Sequence, residues 1–495
     1  MKRTAVINVV GLTEALIGPH TPRIREFVQR GALAYVSPAF PAVTCTAQST
    51  YLTGKAPTQH GVVGNGWYNR ELAEVQFWKQ SNHLVQGEKI WDELRSRETG
   101  FTCAKLFWWF NMYSSADFSI TPRPMYPADG RKVFDIHTWP FSIRPEIKRE
   151  LGEFPFATFW GPAAGVKSPQ GAPDAASRWI AESAKWIENK YAPALNLIYL
   201  PHLDYNLQRH GPFVAADVRR RMAESHTAID LTPPTDVVGF DINPAIVPDL
   251  CAIDSILDDL ITFFERQSVQ VILLSEYGIT NVETPVHLNR QFREFGWLAI
   301  KEELGLEILD CGASKAFAVA DHQVAHIYLN DRSIESELKL LLKETPGIET
   351  VLSAKEKAES GVDHPRAGDL VAVAKDNAWF TYYYWLPSGR YAPDFARTVD
   401  IHRKPGYDPV ELFLDPQLKL PKLKIARRLL QKKLGFRMLM DVIPLDATLV
   451  KGSHGVCPSN NSHYPLLISG QPGLWSGTTL APTEVYEVIK RQVLS

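Results

Sequence analysis

Thr44 is the residue whose position most clearly suggests chemistry. It follows Pro41 and begins a segment that the sequence predicts to be a helix ending at Gly54. A hydroxyl at a helix N-terminus faces unpaired backbone N–H groups and the positive end of the helix dipole. That geometry suits an anionic phosphoryl group. An ordinary threonine N-cap is the alternative, and this segment alone leaves both interpretations open.

Other polar residues directly follow apolar strands. Asp204 lies just after the predicted strand 195–200, and Glu276 follows the predicted strand 269–275. His454 lies in a Gly-Ser-His-Gly segment near the end of the chain. In open α/β sheets, ligands bind beyond the carboxyl ends of the strands. We therefore expect these side chains to converge with the threonine at one edge of a sheet.

Taken in order, these segments resemble the alkaline phosphatase superfamily, and within it the type I phosphodiesterase/nucleotide pyrophosphatase branch. The likeness extends from the first predicted strand, at 5–10, to the Gly-Ser-His-Gly segment. It implies an α/β fold with a mostly parallel central sheet, helices on both faces and a smaller α+β cap. The alternation of predicted strands and helices separately favours a parallel sheet that is covered on both faces.

The resemblance and the local composition together predict how the chain is divided. Residues 1–284 are expected to form the first part of the core, with insertions near 105–175 and 226–248. Residues 285–410 are expected to form the cap, which commonly determines substrate choice in this superfamily. Residues 411–495 are expected to complete the core and to carry the Gly-Ser-His-Gly segment.

The resemblance also implies a metal-dependent hydrolase in which Thr44 attacks phosphorus and forms a covalent intermediate. A metal ion lowers the pKa of a bound hydroxyl, and two ions about 4 Å apart stabilise the attacking oxygen and the developing charge. Carboxylate and imidazole ligands suit Zn²⁺, with Mn²⁺ or Mg²⁺ as alternatives. One or two ions are expected, and the matching ligand positions are Asp204, Gln208, Glu276 and His454.

Several positions depart from the family pattern. Gln208 and Tyr277 replace histidines, and Val10 replaces the aspartate at the end of the first strand. The phosphate-contacting asparagine of the family falls on Ala47, although Asn65 lies in a matching downstream loop. Amide and phenol groups bind divalent ions more weakly than imidazole, and valine cannot bind them. These departures weaken the predicted site for a second metal ion.

A further group of polar residues is predicted to supply additional ligands or substrate contacts. For each lone histidine in the group, a hydrogen-bonded packing role is the alternative. Two same-face groups followed by cations, as in Asp400-Ile-His402-Arg-Lys, resemble a phosphate pocket. The residues of this group are Tyr277, Asp400, His402, His322, His326 and Asn65.

Three hypotheses for the function follow. The first is a phosphodiesterase-like or nucleotide pyrophosphatase-like hydrolase that acts on small phosphorylated substrates. The second is a single-metal phosphotransferase or mutase that acts on a small biosynthetic metabolite. The third is a non-catalytic, ligand-binding relative with a degraded metal site. The surviving Thr44, Asp204 and His454 favour catalysis, whereas the replaced positions favour the third hypothesis.

Composition limits the class of protein. The 495 residues are 45% hydrophobic and carry a formal net charge of −2. The chain therefore lacks the net positive charge that is typical of proteins that bind a nucleic acid polymer. Five scattered cysteines, no predicted signal peptide and no predicted membrane span favour a cytoplasmic protein, and a homo-oligomer remains open. The basic segment 419–437 is predicted to be a helix that packs through its leucines, with contact to an anionic surface as the alternative.

Overall fold

The structure, a computed structural model, describes residues 1–129, 132–169, 171–214 and 241–495. Its strands are β1 (Thr4–Val9), β2 (Ala32–Val36), β3 (Gly66–Asn69), β4 (Glu74–Phe77), β5 (Cys103–Leu106), β6 (Phe118–Pro122), β7 (Ile136–Trp139), β8 (Leu195–Leu200), β9 (Gln270–Leu274), β10 (Thr280–Asn281), β11 (Thr284–Val286), β12 (Ala299–Glu303), β13 (Leu306–Asp310), β14 (Ala316–Asp321), β15 (Val324–Leu329), β16 (Ile348–Leu352), β17 (Leu370–Ala374), β18 (Ala378–Phe380), β19 (Gly452–Ser453), β20 (Leu466–Ser469) and β21 (Thr479–Leu480).

The α-helices of the described ranges alternate with many of these strands. They are α1 (Pro22–Arg30), α2 (Thr44–Thr53), α3 (Pro57–His60), α4 (Ile90–Arg97), α5 (Ile143–Leu151), α6 (Ala175–Tyr191), α7 (His202–His210), α8 (Val247–Arg266), α9 (Leu288–Glu294), α10 (Glu335–Glu344), α11 (Ala354–Glu359), α12 (Pro421–Lys433) and α13 (Glu484–Leu494). None of them is both long and apolar enough to cross a lipid bilayer.

The central sheet has the strand order β21-β2-β20-β9-β1-β8-β5-β6-β7. β1 lies between β8 and β9 and is parallel to both, so that Asn8 is paired with Tyr199 on one side and with Leu274 on the other. The β5 pairs are also parallel, whereas β20 and β7 run antiparallel to their neighbours. The predicted fold class, an α/β fold with a mostly parallel central sheet, is confirmed.

The middle of this sheet is buried on both faces. Every residue of β1 and of β8 is buried, as expected for apolar strands that are covered by helices on two sides. Helices α1, α6 and α8 pack together, and α13 packs against α2 and α4. The carboxyl ends of β1, β8 and β9 therefore open at one edge, where the loops that carry the polar residues begin.

A second, antiparallel sheet lies within residues 285–410, with the strand order β14-β15-β17-β16. Its core is aromatic: Phe317, Tyr328, Trp379 and Tyr382 are all buried. The division of the chain into core and cap at 284 and 410 stays a prediction. Of the predicted insertion 226–248, residues 226–240 lie outside the described ranges.

Helix α12 contradicts one prediction. No residue of the helix is buried, and its leucines are exposed instead of packing against the protein. Amphipathic periodicity indicated a helix with an apolar face, but it did not indicate which face would contact the body of the protein.

Candidate active site

Thr44 begins helix α2 and lies at the edge of the central sheet. The preceding residue, Val43, has an extended backbone and occupies the N-cap position, and the helix ends at Gly54 in the left-handed conformation. The threonine is therefore not an ordinary N-cap, and its side chain is free to interact with other elements. Thr44 is only 3% exposed. Its hydroxyl lies 3.2 Å from the hydroxyl oxygen of Tyr277.

The Tyr277 hydroxyl connects the threonine to a carboxylate. It donates a hydrogen bond to Asp204 Oδ1 at 3.3 Å, which leaves its oxygen to accept from the Thr44 hydroxyl. The chain of hydrogen bonds thus runs from Thr44 through Tyr277 to Asp204. Burial, with nearby carboxylates, raises the pKa of Tyr277 well above its ordinary value, so the phenol keeps its proton at neutral pH.

Asp204 lies in the first turn of α7, directly after β8. Its second oxygen, Oδ2, accepts a hydrogen bond from the side-chain amide of Gln208 at 2.7 Å. Gln208 in turn lies within hydrogen-bond distance of the Tyr407 hydroxyl, at 3.0 and 3.1 Å from its two amide atoms. Burial raises the pKa of Asp204 to about 7, and the hydrogen bonds from Gln208 and Tyr277 oppose that rise.

Glu276 follows β9 and is held by two side-chain amides. Its Oε1 accepts hydrogen bonds from the side-chain amides of Asn8 and Gln48, both at 2.5 Å. Its Oε2 is buried and has no hydrogen-bond partner among the described residues. Burial raises the pKa of Glu276 to about 8, whereas the hydrogen bonds from Gln48 and Asn8 lower it.

His454 packs directly against the tyrosine. Its ring lies flat on the ring of Tyr277, with centroids 3.5 Å apart and planes 6° apart. Nδ1 of the histidine lies 2.7 Å from the carbonyl oxygen of Ala42, so Nδ1 carries the proton and donates to it. Nε2 is buried without a hydrogen-bond partner among the described residues. Burial lowers the pKa of His454 to about 3, and the imidazole is neutral.

Two of the additional predicted residues border this cluster. His322 lies between β14 and β15 with a φ of +59°, and its ring centroid is 3.6 Å from that of His454. Asn65 accepts a hydrogen bond from the backbone N–H of Cys45, the second residue of α2, and donates one to Asp321. Asn65 therefore orients the start of helix α2.

Three of the additional predicted residues lie elsewhere. His326 has both ring nitrogens within hydrogen-bond distance of backbone groups, which matches the packing role that was the alternative. His402 lies 3.5 Å from the carbonyl oxygen of Phe77, and Asp400 lies 3.5 Å from Lys132. Within the described ranges, no hydrogen bond or ring contact joins these three residues to the Thr44 cluster.

Sequence reasoning missed two tyrosines of the cluster. Tyr199 lies in β8 beside Asn8, and the Thr44 hydroxyl is close enough to influence its pKa, which burial raises well above the ordinary value. Tyr407 stacks on His322 with ring centroids 3.7 Å apart and reaches Gln208. The only sequence signal for Tyr199 was its position near the end of β8, because the segment that follows this strand carries Asp204.

A family model for type I phosphodiesterase / nucleotide pyrophosphatase matches residues 4–408. The chain belongs to this family. The match includes both strands that precede the candidate residues and the whole four-stranded second sheet. A sequence comparison with curated proteins finds no match.

Solved structures with the same fold include two kinds of enzyme. Human ectonucleotide pyrophosphatase / phosphodiesterase 5 is 12% identical, with a TM-score of 0.56, over 100% of this chain and 95% of that one. An inactive variant of the murine protein in complex with AMP is 13% identical, with a TM-score of 0.54 and the same coverage. Phosphonoacetate hydrolase from Sinorhizobium meliloti 1021, in complex with phosphonoformate, is 12% identical, with a TM-score of 0.56, over 99% and 96% of the two chains. These likenesses show the fold.

Family members use divalent metal ions in general, but the side chains of this cluster do not fit a two-ion centre. Both oxygens of Asp204 accept hydrogen bonds, and Gln208 turns its amide N–H toward that carboxylate. Tyr277 is a protonated phenol, and Val10 has no donor atom. Within the described ranges, no three His, Cys, Asp or Glu side chains are grouped so that they could hold a metal ion. The prediction of bound Zn²⁺ stays a prediction.

Proposed function

We propose that the protein is a phosphoryl-transfer hydrolase for small phosphorylated substrates, with Thr44 as the nucleophile and a covalent intermediate on its hydroxyl oxygen. The family and the fold support a hydrolase of the phosphodiesterase/pyrophosphatase type. The observation that carries the finer proposal is the chain of hydrogen bonds from Thr44 through Tyr277 to Asp204, at 3.2 and 3.3 Å. The chain offers a route by which the threonine proton can leave.

In this mechanism protons move between Thr44, Tyr277, Asp204, the leaving oxygen and water. Ionised Asp204 takes the proton of Tyr277 while Tyr277 takes the proton of Thr44, and the threonine oxygen attacks phosphorus. The bond from phosphorus to the leaving oxygen breaks, and that oxygen takes a proton from water, which becomes hydroxide. The hydroxide then attacks the phosphothreonine, the bond from phosphorus to the threonine oxygen breaks, and this oxygen regains its proton through Tyr277 from Asp204. A base with a pKa of about 7 is well matched to such a transfer at neutral pH.

The start of helix α2 supplies charge stabilisation in the same mechanism. Backbone N–H groups in its first turn have no partner within the helix, and they point toward the threonine end, where a phosphoryl group carries negative charge. Asn65 holds the N–H of Cys45 in place. Because Thr44 is only 3% exposed, a substrate reaches it only after the covering residues move.

A non-catalytic, ligand-binding role is the second candidate, and one observation favours it. The Tyr277 hydroxyl already engages Thr44 and Asp204, so the groups that would act on phosphorus are bonded to each other in a buried cluster. In that case the site binds a phosphorylated ligand without cleaving it. No observation favours the single-metal phosphotransferase or mutase in particular.

Hydrolysis of bis-p-nitrophenyl phosphate and p-nitrophenyl phosphate tests the proposal. The wild-type protein is assayed with EDTA and with added Zn²⁺, Mn²⁺ or Mg²⁺, beside Thr44→Ala and the control Thr53→Ala. Thr53 lies at the other end of α2, where its hydroxyl bonds the carbonyl oxygen of Ser49. Turnover that Thr44→Ala abolishes and Thr53→Ala retains supports the proposal.

Two results would overturn the nucleophile proposal. One is turnover that survives Thr44→Ala. The other is the absence of turnover of either ester under every metal condition, combined with AMP binding. AMP binding would be seen as a rise in the thermal stability of both the wild-type protein and Thr44→Ala, and this combined result would support the ligand-binding role. Turnover that requires an added divalent ion would keep Thr44 as the nucleophile. It would replace proton transfer through Tyr277 to Asp204 with a metal-assisted step.

A further inference from the structure

Helix α12 presents a stripe of leucines to solvent. Leu423, Leu430 and the C-cap residue Leu434 are 63%, 56% and 63% exposed, and their spacing of seven and four residues puts them along one face of the helix and its C-terminal end. Leu420 and Phe436, just before and just after the helix, are 65% and 66% exposed. Scattered exposed leucines are normal on proteins, but a contiguous apolar stripe on one helix indicates a surface that binds something.

The polar side of the same helix faces the protein. Lys424 pairs with the Asp441 carboxylate at 2.9 Å and also donates to the Asp441 carbonyl oxygen at 2.6 Å. Arg428 pairs with the same carboxylate at 3.0 Å and donates to Gln431 on the helix itself. A helix on the surface of a soluble domain normally turns its apolar face inward. Here the leucine stripe faces solvent instead, and the inner side is held by these ion pairs together with Ile425, which packs against the core of the second sheet.

The charge of this segment is one-sided. Residues 419–437 contain eight Lys and Arg residues and no Asp or Glu, in a chain whose formal net charge is −2. Lys422, Arg427 and Lys433 flank the leucine stripe on the helical wheel, and none of them has an ion-pair partner within the described ranges. Their charges are therefore available to an external anionic partner.

We propose that α12 and its flanking residues 419–437 bind the surface of an anionic lipid bilayer, with the helix axis in the plane of the interface. The leucines and Phe436 would enter the boundary between headgroups and acyl chains, while the flanking cations reach the lipid phosphates. Basic amphipathic helices with four to eight cations have this property. The helix does not cross the bilayer, since it is neither long nor apolar enough.

Charge complementarity favours lipid over a second copy of the chain. A symmetric dimer through this surface would place the cations of one helix against those of the other, because an isologous interface brings the same patch together twice. Like charges at short distance oppose such a contact. A bilayer rich in anionic headgroups satisfies the cations and the leucines at once.

Co-sedimentation of the full-length protein with lipid vesicles tests the proposal. One set of vesicles is pure phosphatidylcholine, and the other contains about one-third phosphatidylglycerol. We expect binding to the anionic vesicles, little binding to the neutral ones, and loss of binding at high salt. Each surface cation contributes about fivefold to such binding, so the triple variant Lys422→Gln/Arg427→Gln/Lys433→Gln should bind about 100-fold more weakly.

Matched controls separate this surface from general effects of charge or hydrophobicity. The control for charge is Arg149→Gln/Lys301→Gln/Lys355→Gln, three exposed cations on other elements, and it should bind almost as wild-type. The leucine variant is Leu430→Ser, and its control is Leu340→Ser, on α10, because both leucines are 56% exposed. Leu430→Ser should weaken binding several-fold and Leu340→Ser should not.

Several results of the vesicle experiments would overturn the proposal that α12 binds lipid. Equal binding to neutral and anionic vesicles, or equal loss in the test and control variants, overturns the proposal. So does absence of vesicle binding, whether the protein then dimerises through α12 in analytical ultracentrifugation or binds an acidic polypeptide through it. Circular dichroism and unfolding curves that match wild-type confirm that each variant is folded. Hydrolase activity does not enter the test, so the proposal stands or fails apart from the proposed function.

Discussion

The ring of Tyr277 lies flat on the imidazole of His454, 3.5 Å from centroid to centroid. A tyrosine at a position where the family carries a histidine thus places its hydroxyl between Thr44 and Asp204. The stack leaves His454 Nε2 buried without a partner among the described residues. One replacement therefore exchanges a donor suited to a metal ion for a hydroxyl that links Thr44 to the Asp204 carboxylate.

Removing the Tyr277 hydroxyl should interrupt the proton relay, which is the chain of hydrogen bonds from Thr44 through Tyr277 to Asp204. In Tyr277→Phe the threonine and the aspartate both lose a hydrogen bond, and we expect the rate of ester hydrolysis to fall by about 10²–10⁴-fold. The variant should also lose about 1–2 kcal/mol in the free energy of unfolding measured with urea. Tyr205→Phe is the control, because the Tyr205 hydroxyl is buried without a hydrogen-bond partner within the described ranges. Equal effects of the two substitutions would contradict the relay.

The pH dependence of activity should follow Asp204. Its pKa is raised to about 7, and only the ionised form accepts the proton, so the rate should rise about tenfold per pH unit below pH 7 and level off above it. Asp204→Asn should abolish the activity and its pH dependence. Glu188→Gln changes a buried carboxyl outside the cluster and should leave the profile unchanged.

The same carboxyl should also affect stability, with a sign that follows from its pKa. The folded state holds the Asp204 proton up to about pH 7, whereas the unfolded chain releases it near the ordinary value of 3.8. The folded state therefore binds more protons between these values, and this group makes the unfolding free energy fall as pH rises from about 4 to 7. Urea unfolding of wild-type and Asp204→Asn should differ in slope across that range. Parallel curves would mean that Asp204 is not a buried acid of this kind.

Restoring imidazole donors should create metal binding. In Tyr277→His/Gln208→His, two imidazoles join Asp204 and His454, a donor set that suits Zn²⁺. Isothermal titration calorimetry should then show Zn²⁺ binding at least ten times tighter than in the wild-type protein. Tyr277→Phe/Gln208→Asn alters the same positions without adding a metal donor and is the control. Tight binding in the wild-type protein would show that the existing side chains rearrange into a metal centre.

The sequence predicted the placement of those site residues that follow the ends of strands. Asp204 and Glu276 directly follow apolar strands, and parallel strands bring their carboxyl ends to one edge, so the approach of both to Thr44 followed from the alternation of elements. His454 was accessible only through the family resemblance. The short strand β19, which ends just before His454, pairs with β10, and no local pattern indicates that pairing.

The remaining contacts depend on tertiary packing that no local pattern encodes. Tyr407 reaches Gln208 across 199 positions of sequence, and its neighbourhood carried no signal apart from nearby charged residues. Tyr199 looks like any buried aromatic residue of a strand. Burial and β-propensity favour tyrosine there whether it only packs in the core or also contacts the candidate site. For α12, the 3.6-residue period predicted the apolar face, but the ion pairs with Asp441 decide which face turns inward.

Lys105 should give a measurable pH dependence of stability from outside the candidate active site. It is fully buried in β5, where its ammonium group donates to the carbonyl oxygens of Trp109 and Phe110 at 2.8 and 2.9 Å and lies 5.2 Å from the ring centroid of Trp91. Burial lowers its pKa from 10.5 to about 7. No carboxylate forms an ion pair with it within the described ranges, so the charged form is stabilised by carbonyl oxygens and the aromatic ring alone.

The sign follows from the proton count. Between pH 7 and 10.5 the unfolded chain keeps the Lys105 proton and the folded state releases it, so this group makes the unfolding free energy rise with pH by about 1.4 kcal/mol per unit. In Lys105→Met that contribution disappears. The difference between wild-type and variant in urea unfolding should therefore be flat below pH 7 and should increase above it. Lys355→Met, at an exposed lysine, should give no pH-dependent difference, and a flat difference for Lys105→Met as well would show that the buried lysine stays charged.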